Sequence, residues 1–212
     1  RPPCPWSEAT CTEAASGGHL EIIQFAHEEG CPWDASTCAA AAAGGHLAIL
    51  KWCRRNKCPW DWRTTSSAAR GGYLNILKFA RNRKAPCPWT EAACAEAAAG
   101  GQLQVLIWLR EHGCPWNSAT CAEAARHGHI EVLMWAHANG CMWNEATCAN
   151  AAAGGSVEVL RALRPPRRPP PSGRPPQSSA STASLMSAGG PPPLVRTASG
   201  NVPSEVQFAP QL

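Results

Sequence analysis

Cysteine is the residue type with the most potential chemistry in this chain, with 12 copies among 212 residues. Six cysteines open a short motif that reads Cys-Pro-Trp or, once, Cys-Met-Trp, and five more each stand seven residues after such a cysteine. The motif cysteines are Cys4, Cys31, Cys58, Cys87, Cys114 and Cys141, and the second set is Cys11, Cys38, Cys94, Cys121 and Cys148. Cys53 belongs to neither set. Thiols in such a pattern could bind zinc, form disulfides or fill an apolar core.

The pattern favours buried thiols over zinc binding. A zinc site typically uses paired ligands such as Cys-x-x-Cys with matching histidines, and this sequence has no such pair. Cys38, Ala41 and Ala42 lie at helical positions i, i+3 and i+4, which predicts that Cys38 faces a core. Thr65 once replaces this cysteine, a change that preserves size but would remove a ligand or a disulfide partner. We therefore expect no metal and no cofactor, with disulfides and metal binding as the alternatives.

The spacing of the motif predicts the elements that position these residues. Successive motif cysteines are 27, 27, 29, 27 and 27 residues apart, a period typical of a stacked array in which neighbouring units share one core. The fourth residue of every unit is a favourable helix N-cap type. These residues are Ser7, Asp34, Asp61, Thr90, Asn117 and Asn144. A first helix of about nine residues, helix A, should run from there to a glycine pair, or to His127-Gly128 in the fifth unit.

A second helix, helix B, should complete each unit. Its apolar positions are spaced to bury a broad face, as Leu103, Leu106 and Leu109 illustrate. Helix A is rich in alanine, so neighbouring A helices can approach closely and line a concave side. We expect an all-α solenoid of six short repeats over residues 1–163, with units starting near residues 4, 31, 58, 87, 114 and 141. Residues 164–212 are rich in proline and serine, which predicts a disordered tail.

The repeats resemble a known family. Residues 37–50, TCAAAAAGGHLAIL, and residues 120–133, TCAEAARHGHIEVL, resemble the ankyrin core Thr-Pro-Leu-His-x-Ala-x-x-x-Gly-His-x-x-Val-Val. The unit is similar to the short ankyrin variant with Cys-Pro-Trp turns found in protist and giant-virus families. Ankyrin repeats ordinarily span about 33 residues, and the missing residues would be the β-turn finger. The resemblance implies stacked helical pairs, protein–protein binding and no catalysis.

Two aromatic series follow the repeat. The turn tryptophans could form a stacking surface for bases or proline-rich peptides, but their strict recurrence favours packing against the next unit's helices. They are Trp6, Trp33, Trp60, Trp89, Trp116 and Trp143. The helix B series should be core by its spacing, and it ends at Ala162 in the sixth unit. It comprises Phe25, Trp52, Phe79, Trp108 and Trp135.

Histidine gives no catalytic signal. The position after the helix A glycines changes in polarity between units, which argues against a shared catalytic role and favours hydrogen bonding within the turn. The six residues there are His19, His46, Tyr73, Gln102, His129 and Ser156. The sequence contains no Ser-His-Asp order, phosphate loop or Gly-x-Gly-x-x-Gly. We expect that the protein is not an enzyme.

Charge breaks the repeat symmetry. The net charge is +4, but residues 1–50 sum to −5, residues 51–84 to +9 and residues 85–163 to −4. The basic belt, residues 51–84, could be a solvated face paired with acidic neighbours, or a docking site for a partner. Trp62 adds an aromatic where other units carry Glu, Ala or Ser.

We predict a protein-interaction scaffold that binds an acidic or phosphorylated protein partner through the concave helix A surface. The predicted contacts are Trp62, Arg63 and Arg70, with Arg54, Arg55, Lys78 and Arg81 on the rim of the belt. The alternative is a nucleic-acid or acidic-polymer binder that uses the belt and the tail. No apolar stretch is long enough to span a membrane and no signal peptide is visible, so we expect an intracellular, cytoplasmic monomer without a membrane partner. Since the first residue is Arg1, we expect an incomplete N-terminus.

Overall fold

The protein folds into alternating A and B helices, as seen in a computed structural model that describes residues 6–82 and 86–164. Those residues contain twelve α-helices and no strand, which confirms the all-α repeat. The A helices are α1 (Glu8–Ser16), α3 (Ala35–Ala43), α5 (Trp62–Arg70), α7 (Glu91–Ala99), α9 (Ser118–Arg126) and α11 (Glu145–Ala153). The B helices are α2 (Leu20–Glu28), α4 (Leu47–Arg55), α6 (Leu74–Arg81), α8 (Leu103–Glu111), α10 (Ile130–Ala138) and α12 (Val157–Leu163). The predicted tail from residue 165 onward lies outside the described residues.

Side-chain capping explains why five of the six A helices start where the sequence predicts. At α1 the N-cap Ser7 makes no such side-chain bond. The side chain of Asp34 accepts a hydrogen bond from the Ser36 amide at 2.8 Å, and Asp61 accepts one from the Arg63 amide at 3.0 Å. Each bond satisfies a backbone donor that the first helical turn would otherwise leave free. The A helices then run for nine residues each, as predicted.

The glycine pair ends helix A, but only its second member needs to be glycine for conformational reasons. Gly44 has an ordinary right-handed φ of −81°, whereas Gly45 has a φ of +77°. The same division explains the fifth unit, where His127 takes the right-handed position and Gly128 the left-handed one, with a φ of +76°. The predicted left-handed glycine is therefore present, and it is the second residue after the last residue of the helix.

Lys57 occupies a strained position after helix B. Its φ is +64°, and it is the one non-glycine residue with a positive φ among the described residues. The first, fourth and fifth units carry Gly30, Gly113 and Gly140 at this point, with φ between +78° and +89°. We expect Lys57→Gly to raise the free energy of unfolding by about 1 kcal/mol, because the left-handed conformation is costly for residues with a Cβ. Urea unfolding measures the change, and a midpoint at or below that of wild type would contradict it.

The A helices form a closely packed layer. Each A helix packs against the A helices on either side of it and against its own B helix. Ala41, Ala42, Ala68 and Ala69 are fully buried at these contacts, which fits the expectation that small side chains permit close approach. A continuous apolar core runs from Ala14 to Val159. The direction of curvature remains a prediction.

The cysteines fill this core. Of the eleven described cysteines, all free thiols, ten are buried and Cys148 is exposed. Cys148 departs from the buried pattern because no unit follows the sixth one among the described residues. The motif thiols also link units, since Cys58 donates to the Asp34 carbonyl at 3.3 Å and Cys87 to the Asp61 carbonyl at 3.2 Å.

None of the described helices combines the length and the apolar character needed to cross a membrane.

Candidate interaction surface

The short turns gather most of the predicted contacts at one edge of the array. Each Cys-Pro-Trp turn joins the end of a B helix to the start of the next A helix, and we call the edge that carries these turns the turn edge. The predicted contacts at the turn edge are Trp62 and Arg63 at the start of α5, Arg54 and Arg55 at the end of α4, and Lys78 and Arg81 at the end of α6. Arg70 ends α5, so the structure places it at the opposite edge.

Helix α5 exposes only its two ends. Trp62, Arg63 and Arg70 are its exposed residues, and the others are buried or half-buried between the neighbouring A helices. Trp62 is 46% exposed and makes no ring contact with another aromatic side chain in the described part of the chain. An exposed indole without an aromatic neighbour is available to a partner.

Arg63 is held beside the helix N-cap. Its guanidinium lies 2.9 Å from Asp61 Oδ2, and its side chain is 48% exposed. The hydrogen bond from Ser36, together with the charge of Arg63, lowers the pKa of Asp34 in the preceding unit. Arg63 is therefore an exposed cation at the turn edge that interacts with two carboxylates, those of Asp61 and Asp34.

Arg70 has a partner of its own. Its Nη1 lies 2.9 Å from Glu96 Oε2 in the next A helix, with both side chains more than one-third exposed. This ion pair between units matches the alternative prediction of a solvated face paired with acidic neighbours.

Arg54 and Arg81 have a contact that recurs along the array. The Arg54 guanidinium lies 4.2 Å from the ring centre of Trp60, and that of Arg81 lies 3.9 Å from Trp89. Arg110 repeats the arrangement on Trp116 at 4.2 Å, and Arg110 Nη1 donates to the Cys114 carbonyl at 2.6 Å. Histidines stack on the turn tryptophans of the second and sixth units. His27 lies 4.0 Å from Trp33, and His137 lies 3.6 Å from Trp143, measured between ring centres. A planar side chain from the preceding B helix thus covers each of these turn tryptophans.

This recurring stack predicts different roles for two cations in the last turns of α6. We expect Arg81→Ala to lower the free energy of unfolding by about 1 kcal/mol, because it removes a guanidinium from the face of Trp89. Lys78→Ala on the same helix is the control, since Lys78 is exposed and its loss should change stability by less than about 0.5 kcal/mol. Urea unfolding compares the two, and equal losses would contradict a structural role for Arg81.

Five of the six turn tryptophans pack against the core, as predicted, whereas Trp6 is 39% exposed. Trp60 meets Phe79 of its own unit edge-on at 6.3 Å, and Trp116 meets Trp135 at 6.0 Å. The ring contacts of these tryptophans are therefore made with the aromatic of their own helix B and with the planar side chain of the preceding unit.

The prediction that the helix B series is core was wrong for Phe25, which is 56% exposed. No unit precedes it among the described residues to cover its ring. The other four members are half-buried and pack against the core.

The histidines after the glycines bond between units. His46 Nε2 lies 3.1 Å from the Ser16 carbonyl oxygen, and His129 Nε2 lies 3.1 Å from the Ala99 carbonyl oxygen. The predicted hydrogen bonding within the turn is correct for Gln102, which donates to the Gly100 carbonyl at 2.9 Å. For His46 and His129 the acceptor belongs to the preceding A helix, so these side chains join neighbouring units.

A basic groove lies at the junction of the third and fourth units. It has a volume of about 410 Å³ and is lined by Lys78, Arg81, Asn82, Trp108 and His112. His112 stacks on Trp108 with ring centres 4.2 Å apart. Cationic side chains around a groove suit a carboxylate or a phosphate group.

The stacked helical pairs define the chain as an α-helical repeat protein. No protein-family model matches the chain, and a search of curated proteins finds no match. Among solved structures, the chain is similar to the crystal structure of the human ASB11 ankyrin repeat domain. The identity is 16% and the TM-score 0.48, over 71% of this chain and 80% of that one.

Proposed function

We propose that this chain is a non-enzymatic scaffold that binds an acidic or phosphorylated segment of a partner protein at the turn edge of its second and third units. The observation that carries the proposal is the exposed indole of Trp62. The other units place Glu8, Ala35, Glu91, Ser118 and Glu145 at this position. Because the fold of the array does not need a tryptophan at this position, we assign Trp62 a role in binding the partner.

The surrounding charges support an acidic partner. Arg55 and Lys78 are exposed, and neither forms an ion pair within the described residues. Together with Arg63 they place positive charge on both sides of Trp62 along the turn edge. Charges of this kind raise association rates and select acidic partners, while a buried aromatic contributes most of the affinity.

We rank the proposed contacts by their exposure and by the partners they already have. Trp62, Arg63, Arg55 and Lys78 are our first choice. Arg54 and Arg81 contribute charge at the rim while they cover the turn tryptophans. Arg70 lies at the opposite edge and would contact only a partner that spans helix α5. We also propose the monomeric state and the cytoplasmic location that the sequence predicts.

Affinity capture with a double variant tests the proposal. Trp62→Ala/Arg63→Ala gives the third unit residues that other units carry, Ala35 and Ala92, so it should fold. We expect the full chain to retain its partner from a cell lysate and the double variant to retain at least about tenfold less, because hot-spot aromatics contribute about 2 kcal/mol or more. Mass spectrometry quantifies the retained proteins.

Glu145→Ala is the matched control, since it changes the same helix position in the sixth unit. It should retain the partner at the wild-type level. A partner signal that both variants retain equally would remove Trp62 and Arg63 from the binding surface.

The nucleic-acid alternative has its own readout. A polymer binder that uses the basic belt should be retained on heparin or RNA with a steep salt dependence. Retention of that kind, unaffected by Trp62→Ala/Arg63→Ala, would favour the alternative over a protein partner.

A further inference from the structure

Three cysteine thiols meet at the junction of the second and third units. Cys38 comes from α3, Cys53 from α4 and Cys58 from the turn that follows α4. Their Sγ atoms all lie within 4.8 Å of one another. All three side chains are fully buried.

The third thiol sets this cluster apart from the rest of the array. Pairs of neighbouring thiols, one of which helps to raise the pKa of the other, recur at Cys11 with Cys31, at Cys94 with Cys114 and at Cys121 with Cys141. The position of Cys53 is filled in the other units by Ala26, Ala80, Leu109, Ala136 and Leu163. Because alanine suffices there in three units, packing does not require the Cys53 thiol.

The separations suit a metal ion. A zinc–sulfur bond is about 2.3 Å long, so three sulfurs in a trigonal plane around such an ion stand about 4 Å apart. The observed cluster reaches that arrangement with small side-chain movements. Thiolate ligands select soft ions such as Cu(I), zinc and their heavier analogues. We propose that Cys38, Cys53 and Cys58 form a three-thiolate site for one soft, thiophilic metal ion.

Burial opposes ionisation of these thiols, so the metal ion itself must displace their protons. Contacts with Cys53 and Cys58, together with burial, raise the pKa of Cys38. The contact of Cys58 with Cys38 lowers the pKa of Cys58, but its contact with Cys53 and its burial raise that pKa to about 12. Hydrogen bonds from Cys38 and Cys58 lower the pKa of Cys53. Binding of a divalent ion releases three protons, one from each thiol, and leaves a net charge of −1. The Arg54 guanidinium, which donates to the Cys58 carbonyl, places a positive charge beside the cluster.

Burial also predicts how the ion enters. Because no thiol of the cluster is exposed, binding requires local opening of the helical pair or takes place during folding. A bound ion would then stabilise the folded state, since the unfolded chain does not hold the three thiols together.

A cadmium titration of the full chain tests the site. We expect reduced protein refolded with Cd(II) to bind one ion tightly, with an ultraviolet sulfur-to-cadmium charge-transfer band and a raised melting temperature. Cys53→Ala should bind at least about tenfold more weakly, because ligand loss removes one of three metal bonds. Cys94→Ala should bind as wild type does, since it breaks a two-thiol pair elsewhere in the array.

Cys53→Ser provides a second test that keeps the side-chain size, so that a folding defect of the alanine variant would not prevent a decision. Equal cadmium affinity in wild type and either folded Cys53 variant would overturn the proposal. Wild-type protein that binds no cadmium even when refolded with it would overturn it as well.

Discussion

Leu77→Ala is expected to lower the free energy of unfolding by about 3 kcal/mol, the typical cost of truncating a fully buried leucine. Leu77 lies on α6 in the middle of the array and is 0% exposed. Its side chain is part of the core that neighbouring units share, so a cavity there weakens more than one helical pair. Denaturant unfolding followed by circular dichroism measures the loss.

Leu160→Ala is the matched control for this prediction. Leu160 is the corresponding residue of helix B in the sixth unit and is 36% exposed. We expect a loss of about 1 kcal/mol or less, because truncation of an exposed side chain leaves little cavity. Similar losses for the two variants would show that the middle of the array is no more tightly packed than its end.

Gly100→Ala is expected to cost about 3 kcal/mol for a steric reason. Gly100 has an ordinary φ of −84°, so its backbone conformation does not require glycine. An added Cβ would lie 2.1 Å from the carbonyl oxygen of Arg70, which belongs to the preceding A helix. Since that oxygen is backbone, relief requires the two units to move apart. Denaturant unfolding again measures the change.

Gly17→Ala separates this clash from the general effect of replacing a glycine. Gly17 holds the same cap position in the first unit, with a φ of −77°. Its nearest contacts for an added Cβ, at 2.8 Å, are side-chain atoms of His19, which can rotate away. We expect a cost below about 1 kcal/mol. A Gly100→Ala cost as small as that of Gly17→Ala would contradict close approach of the A helices at this point.

Local signals made the helices predictable from the sequence. N-cap residues such as Asp34 and Asp61 act within one turn of their own helix, and the glycines act at its end. The repeat multiplied each signal, because a pattern seen six times is far less ambiguous than a pattern seen once. The exposure of Trp62 was predictable for the same reason, since a residue that departs from the repeat is not required by it.

The contacts between units were harder to foresee. The stack of Arg54 on Trp60 depends on how the end of one B helix faces the following turn. The recurrence of Arg or His shortly before each of these turns is the sequence pattern that indicates such a stack. The cluster of Cys38, Cys53 and Cys58 gave no such signal, since Cys53 joins the other two only through the packing of α4 on α3. The separation of Arg63 from Arg70, in contrast, follows from the predicted nine-residue helix, which already places the two residues at opposite ends.

Hydrogen exchange of the full chain, followed by mass spectrometry, measures whether each helical pair is stabilised mainly by the pairs on either side of it. We expect the slowest amide exchange in α5 and α7, and faster exchange toward α1 and α12. Equal protection along the whole array, or faster exchange at its middle than at its ends, would contradict this expectation.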